Sequence, residues 1–547
     1  KTYTYHPTHM SPVATAATDT YLGYRYCILW RESHGCHMST IPGVIVKFSP
    51  KAFAVLGAGA VLIAAAGCSS QSSSEGGANQ NAASGGDYNL SAVAQPANKG
   101  QALLSAINSA TKSIDIVIYQ IGGPEIPPAL AAAMKKGVKV RVMIDGGTTG
   151  NATKGQAFVT QMQAAIAAAS ADASLFTAHW SSDNFNLTHQ KSVMIDAVDS
   201  NGTTLASGSM PSTASLLIST GNFIPNVTPP EPFYGARDFY VTTPDQDLIN
   251  RASVIFTSDF SCAGRDVTNN PYPGQNVGPQ DDPKLVWSNG STGVWTTDQQ
   301  NEYPAVTQGY PFGYPPPATE SKTPTDQGNS FDTQLNLIKG AKQGDTVRVY
   351  NEEMASYEVT QALIAAATPV GTNTSAGTPG QGANVQVVMS FSSTNGKPSS
   401  TVTSLEKIAT AGGTVTMFAD QNNPAFKDVL YIHAKIITVT SSDGSSKGFV
   451  GSENFSDPSM QFNRELGISL DSSTDQEVLG VLNNTFDTDF KTTAMTTQLT
   501  PANPTNIPAS WLTAAKGFTS PQAQPNNGMR VGAAVQGCGP ITVSAKK

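Results

Sequence analysis

Thr188-His189-Gln190-Lys191-Ser192-Val193-Met194-Ile195-Asp196 returns later in the chain as Ile432-His433-Ala434-Lys435-Ile436-Ile437-Thr438-Val439-Thr440. Each copy is an apolar run with β-branched residues, which predicts a buried strand. Alternation along a strand places His189 and Lys191 on one face, and His433 and Lys435 likewise. Each copy then presents an imidazole beside an ammonium. Two such pairs brought together make a cationic pocket with two groups able to attack phosphorus or carry protons, and a phosphate fits it. One His-x-Lys is weak evidence, but a duplicate is not. Of the seven His, four (His6, His9, His34, His37) precede the segment that reads as folded, and two of the remaining three, His179, His189 and His433, lie in His-x-Lys.

The flanks of both copies read as α/β alternation. Leu103, Leu104 and Ile107 mark a helical face, Ile114, Ile116 and Ile118 alternate as a strand, Ile126 to Lys136 is a helix with proline at its start, and Val138 to Ile144 is a strand. A helix to about Ala169 leads to the first His-x-Lys. The later half repeats the order, with helices at Leu335–Ala341, Val359–Ala367 and Val402–Thr410 and strands at Thr346–Tyr350, Val385–Met389 and Val415–Phe418. The fold class is therefore α/β, as an internal duplication of one unit over residues 99–262 and another over residues 329–500. Between them, residues 263–328 are rich in Pro, Gly, Asn and Gln, with Leu285-Val286-Trp287 as their apolar island, and read as an inter-lobe loop region.

A second shared feature follows each His-x-Lys. The first is Ser219-Thr220-Gly221-Asn222-Phe223 and then Arg237-Asp238; the second is Gly451-Ser452-Glu453-Asn454-Phe455 and then Asn463-Arg464-Glu465. Small residues before an Asn suit a close approach of backbone to ligand, and the carboxamide can donate to a phosphoryl oxygen. The later carboxylate can accept from the far ring nitrogen of an imidazole, fixing its tautomer.

Ahead of the first unit, residues 44–67 combine Lys47 and Lys51 with an apolar run from Ala52 to Ala66 and end at Ala65-Ala66-Gly67-Cys68. This resembles a bacterial lipoprotein signal with Ala65 where Leu is usual, and implies a lipid on Cys68 after cleavage. The run is short for a transmembrane helix, which is the alternative reading. Residues 1–43 read as an upstream extension, since Met38 or Val46-Lys47 would begin an ordinary signal, and residues 68–98 read as a flexible Ser/Gly/Ala/Asn tether. Residues 1–67 carry five of the 32 basic and two of the 40 acidic side chains, so without them the net charge moves from −8 to −11. An acidic chain lacks the footprint of a non-specific nucleic-acid binder. Of five Cys, Cys262 and Cys538 remain downstream of Cys68, and export leaves them as one disulfide or as two free thiols. Residues 501–547 read as an irregular tail.

His189-x-Lys191-x4-Asp196 resembles the phospholipase D superfamily's H-x-K-x4-D in full, and His433-x-Lys435 resembles it with Thr440 in place of the Asp. The likeness spans residues 99 to about 490. It implies two α/β/α sandwich lobes with the active site at their interface, and a phosphohistidine mechanism that uses no metal or other cofactor. Carried onto this chain, the catalytic set is His189, Lys191, Asp196, His433 and Lys435. His189 is assigned as nucleophile and His433 as acid and then base, although the duplication makes the two roles nearly symmetric. Asn222 and Asn454 would clamp phosphoryl oxygens, while Asp238 would orient His189 and Glu465 would orient His433. Asp196 lies at an odd offset from Lys191, which suits support better than chemistry, and Asp443 could stand in for the carboxylate missing at Thr440. His179 reads as structural, or as part of an aromatic pocket against a head group.

The leading expectation is a monomeric, exported phospholipase D acting on phosphatidylcholine-like lipids, held at a membrane surface through Cys68 and binding no nucleic acid. A nuclease of the same superfamily and a non-catalytic lipid- or partner-binding protein are the alternatives.

Overall fold

A computed structural model describes residues 88–181, 187–223, 236–261, 291–296, 330–426, 429–461, 463–523 and 539–541. The expectations for residues 1–67, for lipid on Cys68, for Cys262 with Cys538, and for Leu285-Val286-Trp287 lie outside the described residues.

The first half runs β1 (Ser91–Ala94), α1 (Gln101–Ser109), β2 (Ser113–Ile118), α2 (Ile126–Lys135), β3 (Lys139–Ile144), α3 (Thr149–Ala169), β4 (Phe176–Trp180) and β5 (Lys191–Ile195). It continues with β6 (Ser215–Ser219), β7 (Ala236–Arg237), β8 (Phe239–Thr243) and α4 (Gln246–Phe260). Then come β9 (Gly293–Thr296), α5 (Ser330–Lys339), β10 (Thr346–Tyr350), α6 (Tyr357–Ala367), β11 (Asn384–Ser390), a small hairpin of β12 (Ser393–Thr394) and β13 (Lys397–Pro398), α7 (Ser400–Ala411) and β14 (Thr414–Phe418). The chain closes with β15 (Tyr431–Ile432), β16 (Ile436–Thr440), β17 (Ser446–Gly451), α8 (Asp457–Gln461), β18 (Leu466–Asp471), α9 (Gln476–Phe490), β19 (Thr496–Leu499), α10 (Ala509–Ala514) and β20 (Gly539–Pro540).

These form two eight-stranded sheets, ordered β1-β8-β6-β5-β2-β3-β4-β20 and β9-β18-β17-β16-β10-β11-β14-β19. Position by position the two orders correspond, although the strand beside β4 comes from the tail of the chain and the one beside β14 directly follows α9. In both, the strand following the first helix pairs in parallel with the next strand and antiparallel with the strand that begins where His-x-Lys ends.

Period-two alternation sets which way each strand faces. Ile114, Ile116 and Ile118 of β2 and Val193 and Ile195 of β5 join a core with Leu103, Leu130 and Phe158 of α1, α2 and α3. Val117 and Met194 face the other way, into a second core that also takes in α4, α9 and both sides of the second sheet. One apolar core therefore runs from the first lobe into the second, and the lobes bury a shared face. Helix starts follow their caps: Thr148 accepts from Asn151 N at α3, Asp245 from Asp247 N and Leu248 N at α4, and Ser399 from Val402 N at α7.

Three boundaries need correction. Residues 91–94, expected within the tether, pair with β8 as an edge strand. Residues 293–296, expected within an inter-lobe loop, add β9 to the second sheet through β18. The tail holds α10, and its Gly539–Pro540 pairs with β4. The strands among them, β1, β9 and β20, are short edge elements whose stability comes from an existing sheet, so their own sequences carry little periodicity. The first His-x-Lys strand starts at Lys191 and the second at Ile436, so His189, His433 and Lys435 precede their strands rather than lying on them.

Candidate active site

The two His-x-Lys segments meet where the lobes cross-pair. Thr188 forms a parallel bridge with Arg464, and β15 pairs in parallel with β7, matching Ile432 to Arg237. His189 N and Gln190 N both donate to Arg464 O at 2.9 Å, and His433 N donates to Arg237 O at 3.2 Å. Each segment is also anchored within its own lobe: Thr188 N donates to Asp145 Oδ1 and Ile432 N to Ser390 Oγ, both at 2.9 Å. These two anchors occupy corresponding places at the ends of β3 and β11.

The cross-pairing decides which carboxylate serves which imidazole. His189 Nδ1 lies 3.1 Å from both oxygens of Glu465, and His433 Nδ1 lies 2.9 and 3.1 Å from those of Asp238. The expected pairing is thus exchanged: each imidazole is oriented by the other lobe's carboxylate. The reason is geometric. Arg464 and Arg237 pair with the residues preceding the two His, which delivers the next residue, Glu465 or Asp238, to the opposite ring.

Both carboxylates are held by more than the imidazoles. Thr220 Oγ1 donates to Asp238 at 2.7 Å, and Ser452 Oγ donates to Glu465 at 2.5 Å. Burial alone would raise both acids, but His433 and Lys435 outweigh it at Asp238, as His189 and Lys191 do at Glu465, so both stay below the ordinary carboxylate range. A Cβ at Gly221 would stand 2.3 Å from Asp238 Oδ2, so only glycine fits there. The small residue expected to admit a ligand admits this carboxylate instead.

The two lysines turn back on their own segments. Lys191 Nζ donates to His189 O, and Lys435 Nζ to His433 O. Lys191 also lies 5.5 Å from the centroid of the Tyr119 ring, which packs T-shaped against His189 with centroids 4.9 Å apart. Burial, aided by repulsion from Lys435, brings the Lys191 ammonium down to about 7 despite Glu465. His189 is lowered as well, by burial first, against the attraction of Glu465. A buried imidazole kept neutral, with Nδ1 tied to a carboxylate, leaves Nε2 as a nucleophile.

The carboxamide oxygens of Asn222 and Asn454 have no hydrogen-bond partner among the described residues. Asp196, included in the expected catalytic set, stands at the far end of β5 from Lys191. It accepts from Thr111 N at 3.0 Å, Lys112 N at 2.6 Å and Ser113 N at 2.9 Å, and from the hydroxyls of Thr111 and Thr213. It closes the turn into β2 and touches no reacting group. In the second lobe Asp345 does this from the other side, accepting from Lys342 N at 2.8 Å and Ser442 N at 3.1 Å. Thr440 accepts from Arg348 at 3.1 Å, and Asp443 only caps its own turn at Ser445, so Asp443 is not the substitute. His179 stacks on Phe260 with centroids 4.0 Å apart and its Nδ1 lies 3.2 Å from Phe260 O, outside the site.

Three acids at the site were not singled out from the sequence. Glu352 Oε2 lies 3.3 Å from His433 Nε2 and 3.1 Å from Lys435 Nζ. Its neighbour Glu353 is raised to about 7, by burial and then by Glu352. Glu453, fully buried, is raised by burial and then by Glu465. The consecutive glutamates in Tyr350-Asn351-Glu352-Glu353 at the end of an apolar strand were the available signal, because two acids beside a core strand are costly to bury unless partnered. Among the described residues no three His, Cys, Asp or Glu side chains form a group that could hold a metal ion.

Residues 103–220 match the family model described as cardiolipin synthase, PLD-like domain. Over those residues the chain carries a phospholipase D-like domain. The match runs from α1 to β6 of the first lobe, and the second lobe repeats its strand order. No curated protein matches the sequence. Among solved structures it is similar to phosphatidylserine synthase of Haemophilus influenzae, at 13% identity over 78% of this chain and 92% of that one with a TM-score of 0.47. It is similar to polyphosphate kinase of Porphyromonas gingivalis at 15% identity over 72% of this chain and 50% of that one, with a TM-score of 0.40. Nuc of Salmonella typhimurium is similar at 19% identity over 31% of this chain and 93% of that one, with a TM-score of 0.22.

Proposed function

We propose that this chain hydrolyses the phosphodiester of phosphatidylcholine-like phospholipids through a phosphohistidine. The observation that carries the reading is the pair of imidazoles, each with Nδ1 held by a carboxylate from the opposite lobe and each beside a buried lysine. His189 Nε2 would attack phosphorus while the bond to the leaving alcohol breaks, its oxygen taking the proton from His433. Water would then attack the phosphohistidine, giving its proton to His433 Nε2, and the P–N electrons would return to His189. Lys191, Lys435, Asn222 and Asn454 would hold the phosphoryl oxygens, replacing charge stabilisation that a metal supplies elsewhere.

The charge of the site supports a lipid with a cationic head group over a polyanion. Around two lysines stand three carboxylates held ionised, Asp238, Glu352 and Glu465, on a chain of net charge −8. A nucleic acid would bring several phosphates to that surface, whereas a zwitterionic lipid brings one phosphate and one ammonium. The protein would act as an exported monomer at a membrane surface, tethered through lipid on Cys68.

Choline release from phosphatidylcholine vesicles in EDTA tests the reading. We expect release that survives chelation and falls by ~10²–10⁴-fold or more in His189→Ala and in His433→Ala. An intact chain that releases no choline yet cleaves single-stranded DNA would favour the nuclease reading, and one inert on both would favour binding without catalysis.

A further inference from the structure

The two-fold correspondence of the lobes breaks at the residue facing each imidazole. Val117 pairs with Ser192 and Tyr350 with Ile436, and four residues later Ile121 and Met354 bridge Phe223 and Phe455. Tyr119 and Glu352 therefore occupy equivalent places. In the first lobe the Tyr119 ring packs T-shaped against His189, with centroids 4.9 Å apart. In the second a carboxylate stands beside His433 Nε2, with its other oxygen accepting from the Tyr431 hydroxyl at 2.5 Å. The Glu352 side chain remains 15% exposed, so it opens on the site rather than into the core. Burial alone would raise it, but Lys435 and His433 hold it as an anion.

We propose that Glu352 selects the second nucleophile, accepting a hydrogen bond from the incoming water and so favouring hydrolysis over transfer to an alcohol. The inference rests on the phosphohistidine reading above. Once His433 has given its proton to the leaving alcohol, Nε2 and Glu352 Oε2 are neighbouring acceptors with no proton between them. Water has two protons and satisfies both, one passing to Nε2 as its oxygen bonds to phosphorus and the P–N bond breaks, the other staying on oxygen and hydrogen-bonded to Glu352. An alcohol has one. If that proton goes to Nε2, the alkyl group faces an anionic carboxylate and desolvates it without return. At the corresponding place beside His189 stands the Tyr119 ring.

The test is partition of the common intermediate. The full chain, Glu352→Gln and Glu352→Ala are given phosphatidylcholine vesicles with ethanol, and phosphatidylethanol is measured against phosphatidate. The ratio of transfer to hydrolysis should rise by about tenfold in Glu352→Ala and by less in Glu352→Gln, a carboxylate being the stronger acceptor. A ratio within about twofold of the parent despite slower turnover would show that Glu352 only orders Lys435. Total loss of turnover in both variants would also overturn the proposal, because the carboxylate would then be needed before the nucleophile arrives. If the parent itself spares phosphatidylcholine, the lipid reading fails on its own, and the same partition is read with bis(p-nitrophenyl) phosphate and ethanol.

Discussion

At the scale of single residues, the exchanged carboxylates separate two roles that the duplication makes look alike. Glu465 serves the imidazole assigned to attack, and Asp238 serves the one assigned to protonate the leaving group. Glu465→Gln should therefore slow phosphoenzyme formation whatever the leaving group, while Asp238→Asn should hurt poor leaving groups most. With p-nitrophenol, which departs with little protonation, we expect Asp238→Asn to recover about tenfold or more relative to choline as leaving group, and Glu465→Gln to recover nothing. Equal losses on both substrates in both variants would mean that the roles are not divided this way. The sequence made His189, His433, the lysines and the acids legible, because chemistry of this kind needs those side chains near one another along the chain. It did not disclose which acid meets which ring, since Glu465 is 276 positions from His189 and only the pairing of Thr188 with Arg464 brings them together. Glu352 was hidden for a different reason: its place just after β10 hints at a partnered acid, but nothing there announces that His433 is the partner.

At the scale of elements, β5 and β16 show how a sequence rule can be right about a strand and wrong about its ends. Period-two alternation located both strands, but their starts are set by the cross-lobe hydrogen bonds of His189 and His433, which local pattern does not contain. The edge strands β1, β9 and β20 escaped for the same reason, being four residues or fewer that pair with distant partners. Asp196 is the element-scale residue of the motif. Removing its carboxylate leaves the amides of Thr111, Lys112 and Ser113 without an acceptor, so Asp196→Ala should cost roughly 3 kcal/mol of stability. Turnover per folded molecule should stay near the parent value. Burial alone would raise Asp196, but hydrogen bonds from Thr213, Ser113, Thr111 and Lys112 outweigh it and hold the group below its unfolded value of about 3.9. A depressed acid contributes its stability fully above the unfolded value and loses it as pH falls through the folded one. Denaturation of the parent and Asp196→Asn should therefore differ most near pH 7 and converge below about pH 4; a gap that stays constant with pH would refute the assignment.

At the scale of the whole molecule, the lobes are joined by the same features that build the site. Arg464 of the second lobe reaches Asp259 on α4 of the first at 2.8 and 3.0 Å, and Arg237 of the first reaches Asp489 on α9 of the second at 2.7 and 3.1 Å. Both arginines precede the orienting carboxylates, so the ion pairs that clamp the lobes also fix Glu465 and Asp238 against the imidazoles. Arg464 and Asp259 are almost wholly buried, and truncating one would leave an uncompensated charge costing ~3–5 kcal/mol. With the apolar core continuous across the lobes, the covalent connection should be dispensable once folding is complete. A protease site introduced within residues 297–329 gives the direct check. After cleavage the two pieces should co-elute in size-exclusion chromatography and release choline at close to the uncut rate, separating only in denaturant. Pieces that part in native buffer would show that the lobes are held by the chain rather than by each other, and the exchanged carboxylates would then be a product of tethering instead of its structural equivalent.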